Sequence, residues 1–476
     1  MTVGASIPPT ANWLDTYKAA GLKTYTIVLF ENSDGSFTYN EQSLINVLDL
    51  CYAKGLKAEI RLHSALTRTA GYNVFTDIFP NIHGELDEYP ALTGFFIVDE
   101  PSWSQMENVE NTYVPWFNEH YGGGRLEFFV NLLSSYSTAM GGLRDVNGNL
   151  VENNGTYKTG WGINALYEGS EAWLVGKLFQ KGTVVFTEQE KSDFVKAYHN
   201  KWLAIFAKVN SANKCFSHDC YPFFDNQAGW LQDGRETALP EDYQTELLDG
   251  WFARSLNVAN IARDNGYAFG AHIQVFDQGG ESYPTANYRK PTVLAEIRWQ
   301  VYMNLAMGAK RIDYFGYDQN GGGSYMTLAG QPLPIYYLVQ QTNAELAKVE
   351  HVFASFETWL GVKTFAATGK TKSAGLQKAA ELELDRLTGV SSVSSSGELV
   401  VGEMVDREGN HGYMLVGYSD PIDGVSTQVE MTFDGAVGFI VYRGGERNLV
   451  EAGAGGVFFT VLAAGDGVFV IPVYMD

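Results

Sequence analysis

The polar residues with the clearest chemical potential are two adjacent carboxylates, Asp99 and Glu100, which stand between the apolar run 94–98 and Pro101. A short apolar run is typical of a strand buried on both faces, so we expect the carboxylates at a strand end. Two neighbouring anions repel each other, which favours protonation of one while the other stays ionised. Such a pair suits acid-catalysed cleavage of an acetal, whereas an exposed acidic turn is the non-functional alternative.

Polar and aromatic side chains recur near the ends of the other apolar runs. Buried polar groups lower stability unless they are hydrogen-bonded, so a whole set of them indicates a site for a ligand with many hydroxyl groups. The residues that we predict to bind this ligand are Arg61, His63, Asn131, Asp219, Tyr221, His272, Gln274, Tyr314 and Tyr317.

Eight such runs alternate with helical patterns over the first 360 residues, which predicts a (β/α)8 TIM barrel of the α/β class. One helix is predicted over 41–54, with Asn40 as its N-cap and Gly55 just beyond its end, and others over 243–264 and 292–307. An open doubly wound sheet is the rival, although no Gly-rich phosphate turn follows the first run. The predicted strands are 2–7, 24–30, 57–63, 94–98, 126–132, 214–221, 268–276 and 311–317.

Two further regions depart from this alternation. Residues 136–185 are rich in Gly, Asn and Tyr and follow the fifth predicted strand, so we expect an insertion that shapes a substrate cleft with Trp161 and Trp173. Residues 361–476 carry short alternating runs separated by turn signals, which predicts a C-terminal β-sandwich domain without catalytic residues. The predicted domains are therefore a barrel over 1–360 and a sandwich over 361–476.

Composition excludes several classes of partner. The 476 residues include 33 Lys and Arg against 55 Asp and Glu, a net charge of −22 that repels nucleic acid and anionic lipid surfaces. We find no apolar run long enough to span a membrane and no Cys or His spacing that indicates zinc. We expect a secreted, periplasmic or cell-surface protein whose leader has been removed, with a cytoplasmic location as the alternative. The oligomeric state is left open.

Several segments resemble barrel glycoside hydrolases. The segment GFFIVDEP at 94–101 is similar to their fourth strand, where an acid/base Glu stands at the strand end. The segments HDCYPFF at 218–224 and HIQVF at 272–276 fit the same pattern. Residues 290–318 resemble the seventh helix and eighth strand of beta-galactosidase-like hydrolases, and residues 402–418 and 462–472 resemble their C-terminal sandwich. The resemblance implies a glycoside hydrolase with Glu100 as acid/base and no cofactor.

The predicted seventh strand departs from the common retaining pattern, which has a nucleophilic Glu where this chain offers Gln274. The adjacent Asp-Glu pair instead resembles the substrate-assisted hexosaminidases of glycoside hydrolase families 20 and 123. That resemblance implies that Asp99 holds a substrate acetamido group, whose oxygen attacks the anomeric carbon. A second mechanism, with a nucleophile at Asp219, Asp277 or Glu281, stays open, and a non-catalytic carbohydrate-binding protein is the alternative outside the enzymes.

Overall fold

The computed structural model divides the chain into two compact units. The N-terminal unit comprises Gly4–Thr10 and Thr24–Asp219, and the C-terminal unit comprises Met1–Val3, Ala11–Lys23 and Cys220–Asp476. The structure describes residues 9–132, 152–153, 156–157, 188–218, 220–223, 240–275, 291–315, 330–380, 382 and 387–475, apart from 33, 68, 102 and 423.

Parallel strands make up the first sheet, in the order β1-β2-β3-β4-β7-β8-β9. Six of them are buried along most of their length and β9 is partly buried, which explains why they appear in the sequence as apolar runs. The five in the N-terminal unit are β1 (Thr24–Leu29), β2 (Lys57–Leu62), β3 (Leu92–Asp99), β4 (Glu127–Leu132) and β7 (Lys214–His218). Those in the C-terminal unit are β8 (Ala268–Gln274) and β9 (Arg311–Phe315), and a two-residue pair in the N-terminal unit comprises β5 (Glu152–Asn153) and β6 (Thr156–Tyr157).

The α/β class and the parallel sheet are confirmed, but a closed barrel of eight strands is not. A barrel requires its first and last strands to pair, whereas the sheet order across the described residues begins at β1 and ends at β9. The eighth predicted strand, 2–7, lies outside the described residues. What the chain shows is therefore a sheet of seven parallel strands.

Helices follow most of the strands. The predicted helix over 41–54 is α2, and its N-cap is a full capping box because Asn40 and Ser43 exchange side-chain-to-backbone hydrogen bonds of 2.9 Å. The helices are α1 (Ala11–Ala19), α2 (Glu41–Ala53), α3 (Val74–Ile78), α4 (Trp103–Asn108), α5 (Val114–Tyr121), α6 (Glu188–Lys208), α7 (Pro240–Asp264), α8 (Leu294–Ala306), α9 (Pro334–Ser355) and α10 (Ala374–Ala380). None of the described helices is long and apolar enough to cross a membrane.

The core of the N-terminal unit fixes β3 from one side. Phe75 of α3 stacks on Trp116 of α5 with ring centroids 4.4 Å apart, and Phe95 meets both rings edge-on. Successive side chains of a strand point to opposite faces, so Phe96 lies on the other face of β3. Burial of several aromatic rings therefore holds the strand that carries Asp99.

His199 of α6 is buried in the same unit, with its ring 6.0 Å from that of Phe216. Burial lowers its pKa to about 4 from an ordinary value of 6.5. The unfolded chain binds this proton below pH 6.5 and the folded chain does not until pH 4, so acid favours unfolding in that window. We expect the free energy of unfolding to fall by about 2 kcal/mol between pH 7 and pH 5 through this residue.

Urea unfolding of the protein and of His199→Leu across this pH range measures the contribution. The free energy of unfolding of the variant should depend less on pH in this window, because Leu binds no proton. Equal slopes for the two proteins would contradict the buried, neutral state of His199.

The C-terminal unit also contains antiparallel strands, and the predicted sandwich is confirmed. A six-stranded sheet has the order β10-β12-β13-β18-β15-β16, and a three-stranded sheet has the order β11-β14-β17. Side chains from both sheets form one core, which includes Leu415 and Met431. The strands are β10 (Thr358–Phe365), β11 (Ser392–Ser395), β12 (Leu399–Val405), β13 (His411–Gly417), β14 (Thr427–Thr432), β15 (Ala436–Arg443), β16 (Glu446–Glu451), β17 (Val457–Leu462) and β18 (Gly467–Tyr474).

Helix α8 lies against strands β12, β13 and β18 of the six-stranded sheet. The approach is close enough to require glycine: a Cβ at Gly402 would lie 1.9 Å from the carbonyl oxygen of Ala306, and one at Gly467 would lie 2.2 Å from the Tyr302 ring. The Trp359 indole donates a 2.9 Å hydrogen bond to the same Ala306 oxygen. Glycine at these two positions therefore allows α8 to pack this closely against the sheet.

Strand β16 is the last strand of the six-stranded sheet, and every one of its residues is exposed. It pairs with β15 on one side, from Gly438 opposite Glu451 to Arg443 opposite Glu446. Its sequence is ERNLVE, which places charged residues at both ends.

Candidate active site

A chain of polar side chains links the ends of four adjacent strands in the N-terminal unit. Arg61 of β2 donates from Nη2 to Oδ2 of Asp99 on β3. Asn131 of β4 donates from Nδ2 to the other carboxylate oxygen of Asp99 at 2.9 Å. Ser217 of β7 donates from Oγ to Oδ1 of Asn131 at 3.0 Å. Both oxygens of Asp99 are thus fixed in position by donors from the two flanking strands.

Strand register produces this network. Asp99 and Asn131 are paired residues in β3 and β4, and Asn131 and Ser217 are paired in β4 and β7. Side chains of paired residues in neighbouring parallel strands project in the same direction, so the polar groups meet at one edge. The carboxylate keeps acceptor capacity beyond its two anchors, because an ionised carboxyl has about four lone-pair sites.

Arg61 is the cation of the network and is only 8% exposed. Its guanidinium lies over the Phe96 ring, 4.9 Å from the ring centroid, and this cation–π interaction stabilises the positive charge. Among the described residues, its Nε and Nη1 atoms have no hydrogen-bond partner. Arg61 therefore neutralises Asp99 and holds it, while part of its donor capacity is left over.

Glu100 adopts a backbone conformation that is rare for its residue type. Its φ angle is +44°, and it is the one non-glycine residue with positive φ in the described part of the chain. This conformation costs about 1–2 kcal/mol for a residue with a Cβ. The Glu100 amide still donates to the Asn131 carbonyl at 2.9 Å, so the chain turns sharply immediately after its last contact with β4.

The segment after the turn is also anchored. The Pro101 carbonyl accepts a 2.9 Å hydrogen bond from the hydroxyl of Tyr198, which is buried in α6. Strained backbone persists only where its surroundings hold it, and it concentrates at functional sites. Residues that leave a straight strand diverge, so a turn at this position is needed for two adjacent carboxylates to serve one site.

The structure brings together three of the predicted residues, Arg61, Asp99 and Asn131. Glu100 follows Asp99 directly in the chain. His63 follows β2, with its amide bonded to the Leu29 carbonyl at 2.9 Å and its side chain exposed. No cluster of His, Cys, Asp and Glu that could hold a metal ion occurs among the residues that the structure describes.

Four other predicted residues belong to the C-terminal unit and are buried there. The rings of Tyr221 and His272 lie beside Phe315, at 5.6 and 6.4 Å. Gln274 exchanges hydrogen bonds of 2.8 and 2.7 Å with the backbone of Phe223, so its amide fixes that segment.

Tyr314 donates at 2.8 Å to Oδ1 of Asn343 on α9. Burial raises the pKa of Tyr314, so its hydroxyl stays a donor. The remaining predicted residues lie outside the described part of the chain; they are Asp219, Tyr317, Trp161, Trp173, Asp277 and Glu281.

Two buried residues near the network were not selected from the sequence. Ser217 opens the polar run at 217–219, but a serine in a strand gives no sign of which neighbour it will bind. Glu59 is 1% exposed and accepts from the Thr26 hydroxyl at 3.3 Å. It precedes Arg61 by two residues, so the two side chains share one face of β2. That alternation is the signal that could have identified Glu59.

The ion pair predicts a stability effect that is separate from any activity. In Asp99→Asn the buried guanidinium of Arg61 loses its anion, and we expect the free energy of unfolding to fall by about 2–3 kcal/mol. Asp49→Asn, at an exposed position of α2, is the matched control and should change it by less than about 0.5 kcal/mol. Equal denaturant midpoints for the two variants would contradict a structural role of the pair.

No protein-family model matches the sequence, and no curated protein matches it. Among solved structures, the chain is similar to alpha-L-fucosidase isoenzyme 2 from Paenibacillus thiaminolyticus, at 10% identity and a TM-score of 0.43, over 100% of this chain and 99% of that one. It is also similar to a protein titled glycoside hydrolase, at 10% identity and a TM-score of 0.41, over 99% and 91% of the two chains. A third similar structure is a GH5-4 broad specificity endoglucanase from Clostridium acetobutylicum, at 11% identity and a TM-score of 0.38, over 70% and 89%. At these values the function has to be argued from the site residues themselves.

Proposed function

We propose that the protein is a glycoside hydrolase in which Glu100 is the general acid/base and Asp99 assists it. The observation that carries the proposal is that Asp99, whose carboxylate is held by two donors, is followed at the end of β3 by Glu100, whose backbone conformation is strained. Asp99 accepts hydrogen bonds from Arg61 and Asn131, so its carboxylate is held in one orientation. Glu100 stands in a left-handed turn next to it, and backbone strain of this kind is expected where a side chain must be aimed.

The two carboxyl groups divide the chemistry of acetal cleavage between them. Glu100 donates a proton to the oxygen of the leaving group and later takes one from the attacking water. Asp99 provides a fixed negative charge for the positive charge that develops at the anomeric carbon. Arg61 and Asn131 act as positioning residues, because they bind Asp99 and hold it before substrate arrives.

For the identity of the nucleophile we favour the substrate's own acetamido group. Asp99 retains lone pairs that can accept the acetamido N–H, which would orient the acetamido oxygen toward the anomeric carbon. The substrate would then be an N-acetylhexosaminide, and no protein nucleophile would be required. The competing mechanism, with Asp219, Asp277 or Glu281 as nucleophile, passes through a covalent glycosyl-enzyme.

A panel of aryl glycosides and purified polysaccharides tests the proposal. We expect cleavage of an aryl N-acetylhexosaminide, no cleavage of the matching hexoside that lacks the acetamido group, and strong inhibition by a thiazoline analogue. A covalent adduct with a 2-fluoro glycoside, detected by mass spectrometry, would contradict the acetamido mechanism. It would still support the proposal that the protein is a glycoside hydrolase. Binding of sugars without release of any product would favour the non-catalytic carbohydrate-binding alternative.

A further inference from the structure

The antiparallel part of the C-terminal unit contains a pocket of about 250 Å³, which we call the β-domain pocket. It lies at the turn between β12 and β13, the segment before β11 and the end of β18. The residues of its wall that matter here are Thr388, Asn410, His411, Tyr413, Pro472 and Tyr474.

A buried carboxylate binds two residues of this wall and holds them in position. Glu403 is 1% exposed and accepts hydrogen bonds from the Thr388 amide at 3.1 Å, the Thr388 hydroxyl at 2.8 Å and His411 Nδ1 at 2.6 Å. Nδ1 of His411 faces the carboxylate of Glu403, so Nε2 is the ring nitrogen that Glu403 does not bind. The arrangement fixes the orientation of a side chain that is about one-third exposed.

Aromatic and apolar surface completes the pocket. The ring of Tyr413 lies nearly parallel to that of His411, and its hydroxyl donates to the Thr388 carbonyl. Burial is the main cause that raises the pKa of Tyr413, and the nearby charge of Glu403 is the second. This hydroxyl therefore stays protonated. Tyr474 is 49% exposed, and a Cβ at Gly389 would lie 3.6 Å from the hydroxyl oxygens of both tyrosines. A glycine there leaves the space between the two hydroxyl groups open.

Size and charge limit the ligand. The volume is below the roughly 300–1,000 Å³ of sites for drug-sized ligands, so one small ring fits and an extended chain does not. None of the described residues that line the pocket is Lys or Arg, and the carboxylate of Glu403 is already occupied by its donors. An aromatic platform beside an imidazole nitrogen suits a ring that has apolar C–H faces and hydroxyl groups at its rim.

We propose that the β-domain pocket binds a single neutral sugar ring. Tyr474 and Pro472 contact the apolar face of the ring, and Nε2 of His411 forms a hydrogen bond with one of its hydroxyl groups. This site rests on the residues of the sandwich alone and does not depend on the catalytic function proposed for Glu100.

Imidazole NMR of the full chain, with the His411 signal assigned from His411→Gln, tests the site directly. Neutral methyl hexosides should shift the His411 ring signals at sugar concentrations up to about 100 mM, where a Kd of about 10 mM would be saturated. Glucuronate and glucosamine, as charged probes, should give at least about fivefold weaker binding. The same shifts in Glu100→Gln would locate the binding in the pocket even if no glycoside is cleaved.

Tyr474→Ala should weaken binding about tenfold, since it removes the stacking surface. Tyr474→Phe retains the ring and should bind within about threefold of the wild type. Tyr337→Ala, which removes a similarly exposed tyrosine from α9, is the control and should leave the affinity unchanged. The proposal is overturned if no neutral sugar shifts the His411 signals, if a charged probe binds more tightly, or if Tyr474→Ala binds as the wild type does.

Discussion

Replacing Glu100 with Gln is expected to lower kcat on natural glycosides by about a hundredfold or more, because the leaving oxygen then departs without a proton. Gln keeps the size of the side chain and the left-handed turn, so the thermal midpoint should change little. An aryl glycoside with a strongly acidic phenol needs little protonation and should lose much less activity. Comparing kcat on the two kinds of substrate therefore separates a lost acid from a damaged site.

Glu107→Gln provides the matched control for this variant. Glu107 is an exposed glutamate on α4 of the same unit, and its replacement should leave kcat within about twofold of the wild type. Near-normal kcat of Glu100→Gln on natural substrates would remove Glu100 from the mechanism. An equal loss on activated and natural substrates would indicate that the variant has disturbed the site by another route.

The second large effect concerns stability. Gly402→Ala should lower the free energy of unfolding by about 3 kcal/mol or more, because the new methyl group collides with the backbone of Ala306 and β12 must separate from α8. Backbone atoms cannot rotate away as a side chain can. The expected shift in Tm, measured by calorimetry, is roughly 6–12 °C.

Gly417→Ala is the control for the steric argument. Gly417 lies in β13 of the same sheet, and a Cβ there would meet only the Thr427 side chain, with its hydroxyl oxygen at 3.2 Å. We expect a loss below about 1 kcal/mol. Similar losses in both variants would attribute the effect to strand glycines in general and not to the contact with α8.

Local patterns predicted the elements well where burial is uniform. The parallel strands appear as apolar runs because both of their faces are covered, and Asn40 was recognised as an N-cap from its place before an amphipathic run. Five strands were missed: the two-residue strands β5 and β6, β10, which lies across the predicted domain boundary, β11 and β16. Strand β11 has the sequence SVSS and β16 is exposed throughout, so neither carries the apolar signal on which the prediction depends.

The site was predictable in its residue types and not in its pairings. Asp99 and Glu100 follow from a strand end, but the partner of Asp99 is 38 residues earlier in the chain, and the contact depends on strand register. The pairings of β3 contain two register shifts, which no sequence pattern reveals. Gln274 was predicted to bind a ligand, but its side chain forms hydrogen bonds with the backbone of Phe223. Only the three-dimensional arrangement separates these two uses of a polar side chain.

The exposed final strand of the six-stranded sheet bears on how readily another chain could add to that sheet. A free strand edge is a template on which another chain can add by backbone hydrogen bonding, and Leu449 and Val450 would favour such addition. Glu446, Arg447 and Glu451 flank this apolar pair, so an identical strand that approached in parallel register would bring like charges together. The charges of this strand therefore disfavour the addition of an identical strand at this edge.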